Sequence, residues 1–177
     1  MWLGAALPDL QREAGVVLGD LSRWPAAVRD GVACHHRADA AFHDLGVFRE
    51  QSAALTRSLL DRGVPRGGAR AIGHAGWELL FDGALVDDEP LVDAYLTAMA
   101  VEVDSVAWRN ALARRLARGA PRFYAEPTAV AELLWRVLSA RRLLAFDRQH
   151  LDAVTDALRG AQPAVIASVD EVFAAVG

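Results

Sequence analysis

Lysine is absent from this chain of 177 residues, and all 19 of its basic side chains are arginine. With the abundance of alanine, this points to a GC-rich coding sequence, and a formal charge of −4 argues against general nucleic-acid binding. Cysteine occurs once, at Cys34, which excludes an intrachain disulfide. With no neighbouring group to activate it, the lone thiol reads as a small core residue and not as a nucleophile. Long apolar runs are also missing. Although 53% of residues are hydrophobic, no uninterrupted stretch approaches the ~20 residues that span a bilayer, so no membrane association is expected. The apolar start, Met1 to Leu7, has no basic residue ahead of it and is stopped by Pro8-Asp9, which makes it a poor signal peptide and the cytoplasm the expected compartment.

Several motif classes are missing as well. The chain has no phosphate-cradling Gly-x-x-x-x-Gly-Lys-Ser/Thr, no nucleophile elbow and no dinucleotide fingerprint, and Gly63-Val64-Pro65-Arg66-Gly67-Gly68 has no strand before it and reads as a turn. No segment alternates as a strand between hairpin turns, and no solenoid repeat, low-complexity tract or long linker divides the chain. What remains is helical periodicity. The expected fold is all-α, a single-domain bundle over residues 1–177.

Proline, glycine and capping residues place the helices. Pro8 and Asp9 predict the first turn of a short helix to about residue 14, stopped by Gly15. In the Gly19-Asp20 corner, Asp20 reads by itself as a cap. Pro25 opens a central helix to about residue 45, Gly46 ends it, and residues 48–62 form the next. Gly63-Val64-Pro65 breaks the chain before a helix over about 69–86, whose Trp77 and Phe81 call for burial. Further helices are expected over about 89–103, 105–118, 127–142, 147–158 and 163–176.

Histidine is scarce, with five in all, and three of them fall between Cys34 and Asp44. At ~100° per residue, His35, Asp39 and His43 succeed one another at i, i+4 and i+8 on one helix face. His74, Glu78 and Asp82 repeat the spacing on a second helix. One such pair means little, but two ladders using three of the five histidines point to a divalent-metal site between helices. Imidazole mixed with carboxylate, without thiolate spacing, suits manganese, iron, zinc or magnesium more than a cysteine-rich structural zinc. His36 lies ~100° round the helix from His35, where it serves either as a phosphate-facing proton donor or as a plain surface residue.

The same residues carry a family resemblance. Gly31-x-x-x-His35-x-x-x-Asp39 resembles the Gly-x-x-x-His-Arg-x-Ile-Asp stretch of the acyl carrier protein phosphodiesterase family, helical relatives of the HD-type metal phosphohydrolases. Gly15-Val16-Val17-Leu18-Gly19-Asp20-Leu21 is similar to that family's Gly-Asn-x-x-x-Asp-Phe, with Val16 at the asparagine. His74-Ala75-Gly76-Trp77-Glu78-Leu79 falls on its Asp-x-x-Trp-Asp-His. The resemblance spans about residues 15–85; it loses the last histidine at Leu79 and has Trp2-Leu3-Gly4 where the family has an Asn-and-His signature. It implies an HD-type bundle and adds Asp20 to a ligand set of His35, Asp39, His43, His74 and Glu78, with histidine replacing the family's acids at 43 and 74. It also implies manganese as the preferred metal, and release of 4′-phosphopantetheine from a carrier-protein serine as the activity. The alternatives are a related phosphohydrolase acting on a small phosphoester or nucleotide, and a metal-stabilised helical module that binds without chemistry. An acidic enzyme working on an acidic carrier protein needs a local basic surface, and Arg114, Arg115 and Arg118 are the expected docking group, unless they simply cap a helix end in solvent.

Overall fold

The structure, a computed structural model, describes residues 2–176, so Met1 of the apolar start and Gly177 lie outside the described residues. Among the described residues every regular element is helical: nine α-helices and three short 3₁₀ turns, with no strand. None of these helices is long and apolar enough to cross a membrane. The chain divides into two compact units interleaved in sequence, one from residues up to 41 together with 87–121, the other from 42–86 together with 122 onward.

The first unit holds α1 (Trp2–Ala14), most of α2 (Ala26–Asp44), α5 (Glu89–Met99) and α6 (Val106–Arg118). Its core joins Leu3, Leu7 and Leu10 of α1 to Val28 of α2, Ala98 and Met99 of α5, and Trp108 and Leu112 of α6. The expected start of α1 at Pro8 is corrected: the helix begins six residues earlier and carries Pro8 inside it. Burial explains the difference. An interior proline costs roughly 3 kcal/mol, while three buried leucines at i, i+4 and i+7 contribute roughly 1.5–3 kcal/mol each. Leu3 and Leu7 of the apolar start therefore belong to the buried stripe of a helix. Cys34 is also corrected from core to surface: it is exposed on α2, ~200° round the helix from the buried Val32.

The second unit holds the last turn of α2 with α3 (Gly46–Asp61), α4 (Arg66–Ala84), α7 (Pro127–Leu138), α8 (Leu151–Ala167) and α9 (Val169–Val176). Helix α4 is its axis, packed against α3, α7, α8 and the 3₁₀ turn Arg122–Ala125. Its fully buried Ile72 and Trp77, with Leu80, meet Leu55 and Leu59 of α3, Leu134 of α7 and Val154 and Leu158 of α8. Gly73 lets α3 and α4 approach closely, because a Cβ there would collide with the Thr56 hydroxyl.

Other boundaries shift for local reasons. Helix α5 ends at Met99 and α7 at Leu138, after which the amides of Arg141 and Leu144 bond back to the carbonyls of Leu138 and Arg141 as turns. Pro163, expected to open the last helix, lies inside α8 instead, on its exposed face. There the carbonyl left without an amide partner can be hydrated. The break comes at Ser168, whose hydroxyl and amide both donate to the Val165 carbonyl.

Candidate metal centre

Helix α2 ends sharply. Leu45 leaves helical geometry, its amide bonds to the Phe42 carbonyl, and α3 starts at Gly46, with the Arg49 amide bonding to the Leu45 carbonyl. This tight reversal brings Phe48, on the first turn of α3, back against His43 on the last turn of α2. On α4, His74 and Glu78 stand one turn apart, and the aromatic pair Trp77 and Phe81 follows each of them by three residues, ~60° round the helix. The ligand stripe is thus carried at the edge of a buried aromatic floor. Trp77 and Phe81 stack at 5.4 Å, Phe42 and Phe48 pack on Trp77, and the Trp77 indole N–H donates to the Gln51 side-chain oxygen at 2.9 Å.

Three side chains converge above that floor. The Nε2 atoms of His43 and His74 lie 3.0 and 3.1 Å from the same oxygen, Glu78 Oε1, and 3.3 Å from each other. Their rings stack at 5.0 Å and 18°, and each presents its face or edge to Phe48, at 5.1 Å for His43 and 5.2 Å for His74. Side-chain exposures of 33% for His43, 52% for His74 and 34% for Glu78 leave the triangle open on one side. A four- or six-coordinate ion bound at about 2.0–2.1 Å has adjacent ligand atoms about 2.8–3.4 Å apart, so the triangle's edges fit one face of such a coordination sphere. The donors suit it too: two neutral imidazoles and a carboxylate are a recurring set in zinc and non-haem iron sites. Among the described residues this is the only group of three or more His, Cys, Asp or Glu side chains whose ligand atoms gather this closely.

The remaining ligands expected from the sequence are not among the three residues of this group. His35 and Asp39 belong to the part of α2 that lies in the first unit. There the His35 imidazole comes within 3.9 Å of Asp9 on α1 and meets His36 edge-on at 5.3 Å, while His36 and Asp39 are exposed. Asp20 caps the 3₁₀ turn Leu21–Arg23, accepting from the Ser22 amide at 2.9 Å, and the hydrogen bonds from Ser22 lower its pKa. Asp82, one turn beyond Glu78, is exposed and outside the triangle. Sequence reasoning overlooked Phe48, which walls both imidazoles; its position just after the Gly46 break was the available signal.

Arg114, Arg115 and Arg118, expected from the sequence as a docking group, have a partner inside their own unit. Glu13 at the end of α1 receives Arg115 Nε at 2.7 Å, Arg118 at 3.2 Å and Arg114 Nε at 3.4 Å, and Arg114 also donates to the Glu13 carbonyl. They are neither a simple helix cap nor freely solvated. Burial pushes the Glu13 carboxyl up, but the hydrogen bond and charge of Arg115, the charge of Arg118 and the hydrogen bond of Arg114 outweigh it and hold the group below its ordinary value. A carboxyl lowered on folding adds stability above its unfolded pKa, near 4.3, and loses it as pH falls through the lower folded value. Glu13→Gln is therefore expected to cost about 1–2 kcal/mol at pH 7. The gap in melting temperature from the parent protein should shrink as pH falls below about 4, and a gap independent of pH contradicts the clamp.

Comparison with protein-family models, curated proteins and solved structures finds no match for this chain.

Proposed function

We propose that this chain is a cytoplasmic metal-dependent phosphodiester hydrolase of the HD type, holding its divalent ion through His43, His74 and Glu78. The observation that carries the proposal is the triangle of two Nε2 atoms and one carboxylate oxygen with edges of 3.0, 3.1 and 3.3 Å. Bound there, a divalent ion supplies Lewis acidity toward a phosphoryl oxygen and a water of lowered pKa. The chain's own residues fix the donors. Phe48 and the stacking of the two rings hold the imidazoles in place, and the aromatic floor closes the site from below. The resemblance of residues 15–85 supplies the substrate class, a phosphodiester such as the one joining 4′-phosphopantetheine to an acyl carrier protein, and manganese as the ion. Arg114, Arg115 and Arg118 present three positive charges against the single Glu13 carboxylate, a surplus suited to an acidic partner. His36 is exposed, and its proposed part is to protonate the leaving oxygen.

A second reading has its own support. The triangle ties the last turn of α2 to α4, so an ion bound there could act as a structural clasp in a binding module. Turnover separates the two. Metal-loaded protein is expected to hydrolyse a chromogenic phosphodiester and holo-acyl carrier protein, with activity lost on chelation and restored by Mn²⁺. Bound metal with no turnover on either substrate overturns the hydrolase reading and leaves the clasp.

A further inference from the structure

Two of the three converging atoms are imidazole nitrogens and only one is a carboxylate oxygen. Magnesium and calcium are hard ions that take oxygen ligands, whereas zinc, cobalt, nickel and iron accept imidazole readily. Two neutral rings bring no charge, so an ion bound mainly by charge gains from a single carboxylate. Nor can the rings turn aside easily to offer something else: they stack on each other at 5.0 Å, and both abut the buried Phe48. We infer that His43, His74 and Glu78 form a binding face selective for a borderline transition ion of the zinc and cobalt kind, and that the face rejects magnesium and calcium. This deepens the metal-binding reading above and rests on it. Within the first-row series manganese binds such a set most weakly, so histidine at 43 and 74 moves this chain away from the ion its resemblance implies.

The test reads the ion directly. Protein freed of metal by a chelator is titrated with Co²⁺ and followed by its visible absorption, and Zn²⁺, Mg²⁺ or Ca²⁺ is then added in competition. Zn²⁺ is expected to abolish the bands at about one equivalent, while Mg²⁺ and Ca²⁺ at about a thousandfold excess leave them unchanged. His74→Asp, at a half-exposed position where circular dichroism verifies the fold, should let Mg²⁺ compete at concentrations at least about tenfold lower, and His43→Asp provides the same test on the other helix. Absence of cobalt bands, displacement by Mg²⁺ near equivalence, or undiminished discrimination in both aspartate variants overturns the inference. Because absorption is read instead of turnover, selective cobalt binding without hydrolysis contradicts only the hydrolase reading. Hydrolysis accompanied by ready Mg²⁺ competition contradicts only the selectivity.

Discussion

Trp77→Ala is expected to destabilise the second unit by about 3–5 kcal/mol, the usual cost of deleting a large buried aromatic. The indole is fully buried, stacks on Phe81, meets Phe42 and Phe48, and uses its only polar atom on Gln51. Alanine leaves a cavity at the centre of that cluster and leaves the Gln51 oxygen without its donor. Since typical domains are stable by about 5–15 kcal/mol, the variant should unfold at a much lower denaturant concentration. Trp77→Phe keeps most of the packing and loses the hydrogen bond, so its cost should be well under half as great. A Trp77→Ala midpoint within experimental error of the parent would remove this side chain from the core.

Gly83→Ala and Gly160→Ala are expected to act with opposite signs. Both glycines are helical, and on propensity alone either change should stabilise by up to about 1 kcal/mol. At Gly160, on the exposed face of α8, a Cβ meets nothing within 4 Å, and the gain should appear in full. At Gly83 it would collide with the backbone carbonyl of Tyr124, in the 3₁₀ turn packed on α4. Backbone cannot swing aside as a flexible side chain can, so overpacking should cost about 1–3 kcal/mol and outweigh the propensity gain. Thermal unfolding of the two single variants checks the sign, and stabilisation by Gly83→Ala would show that the turn is not held where the structure has it.

The all-α class was legible because periodicity and punctuation agree almost everywhere along the chain. Pro8 and Pro163 misled for one reason: proline's local cost was allowed to decide a boundary where burial of leucine, or hydration of an exposed carbonyl, decides the outcome. For the site, His43, His74 and Glu78 were all among the expected ligands, and the structure brings these three together. The other expected ligands do not join this group: His35 and Asp39 belong to the first unit, and Asp20 caps the 3₁₀ turn Leu21–Arg23. Glu78 can close on His74 because helical side chains lean toward the N-terminus and glutamate is long enough to reach back one turn. Asp82 has a shorter side chain on the same spacing. The Glu13 clamp was beyond sequence reading, since Glu13 lies 101 residues from Arg114 and no local pattern joins them.

Metal occupancy across a panel of single variants tests the central claim most directly. Wild type, His43→Ala, His74→Ala, Glu78→Ala, His35→Ala and Asp39→Ala are each loaded with Zn²⁺, freed of excess ion, checked for fold by circular dichroism and assayed for bound metal by elemental analysis. Loss of a ligand should weaken binding by more than the roughly 10–100-fold seen for residues that merely support ligands. The prediction is one ion per chain in wild type, His35→Ala and Asp39→Ala, and essentially none in the three triangle variants. Full occupancy in the triangle variants, or loss confined to His35→Ala and Asp39→Ala, would contradict a metal centre at His43, His74 and Glu78.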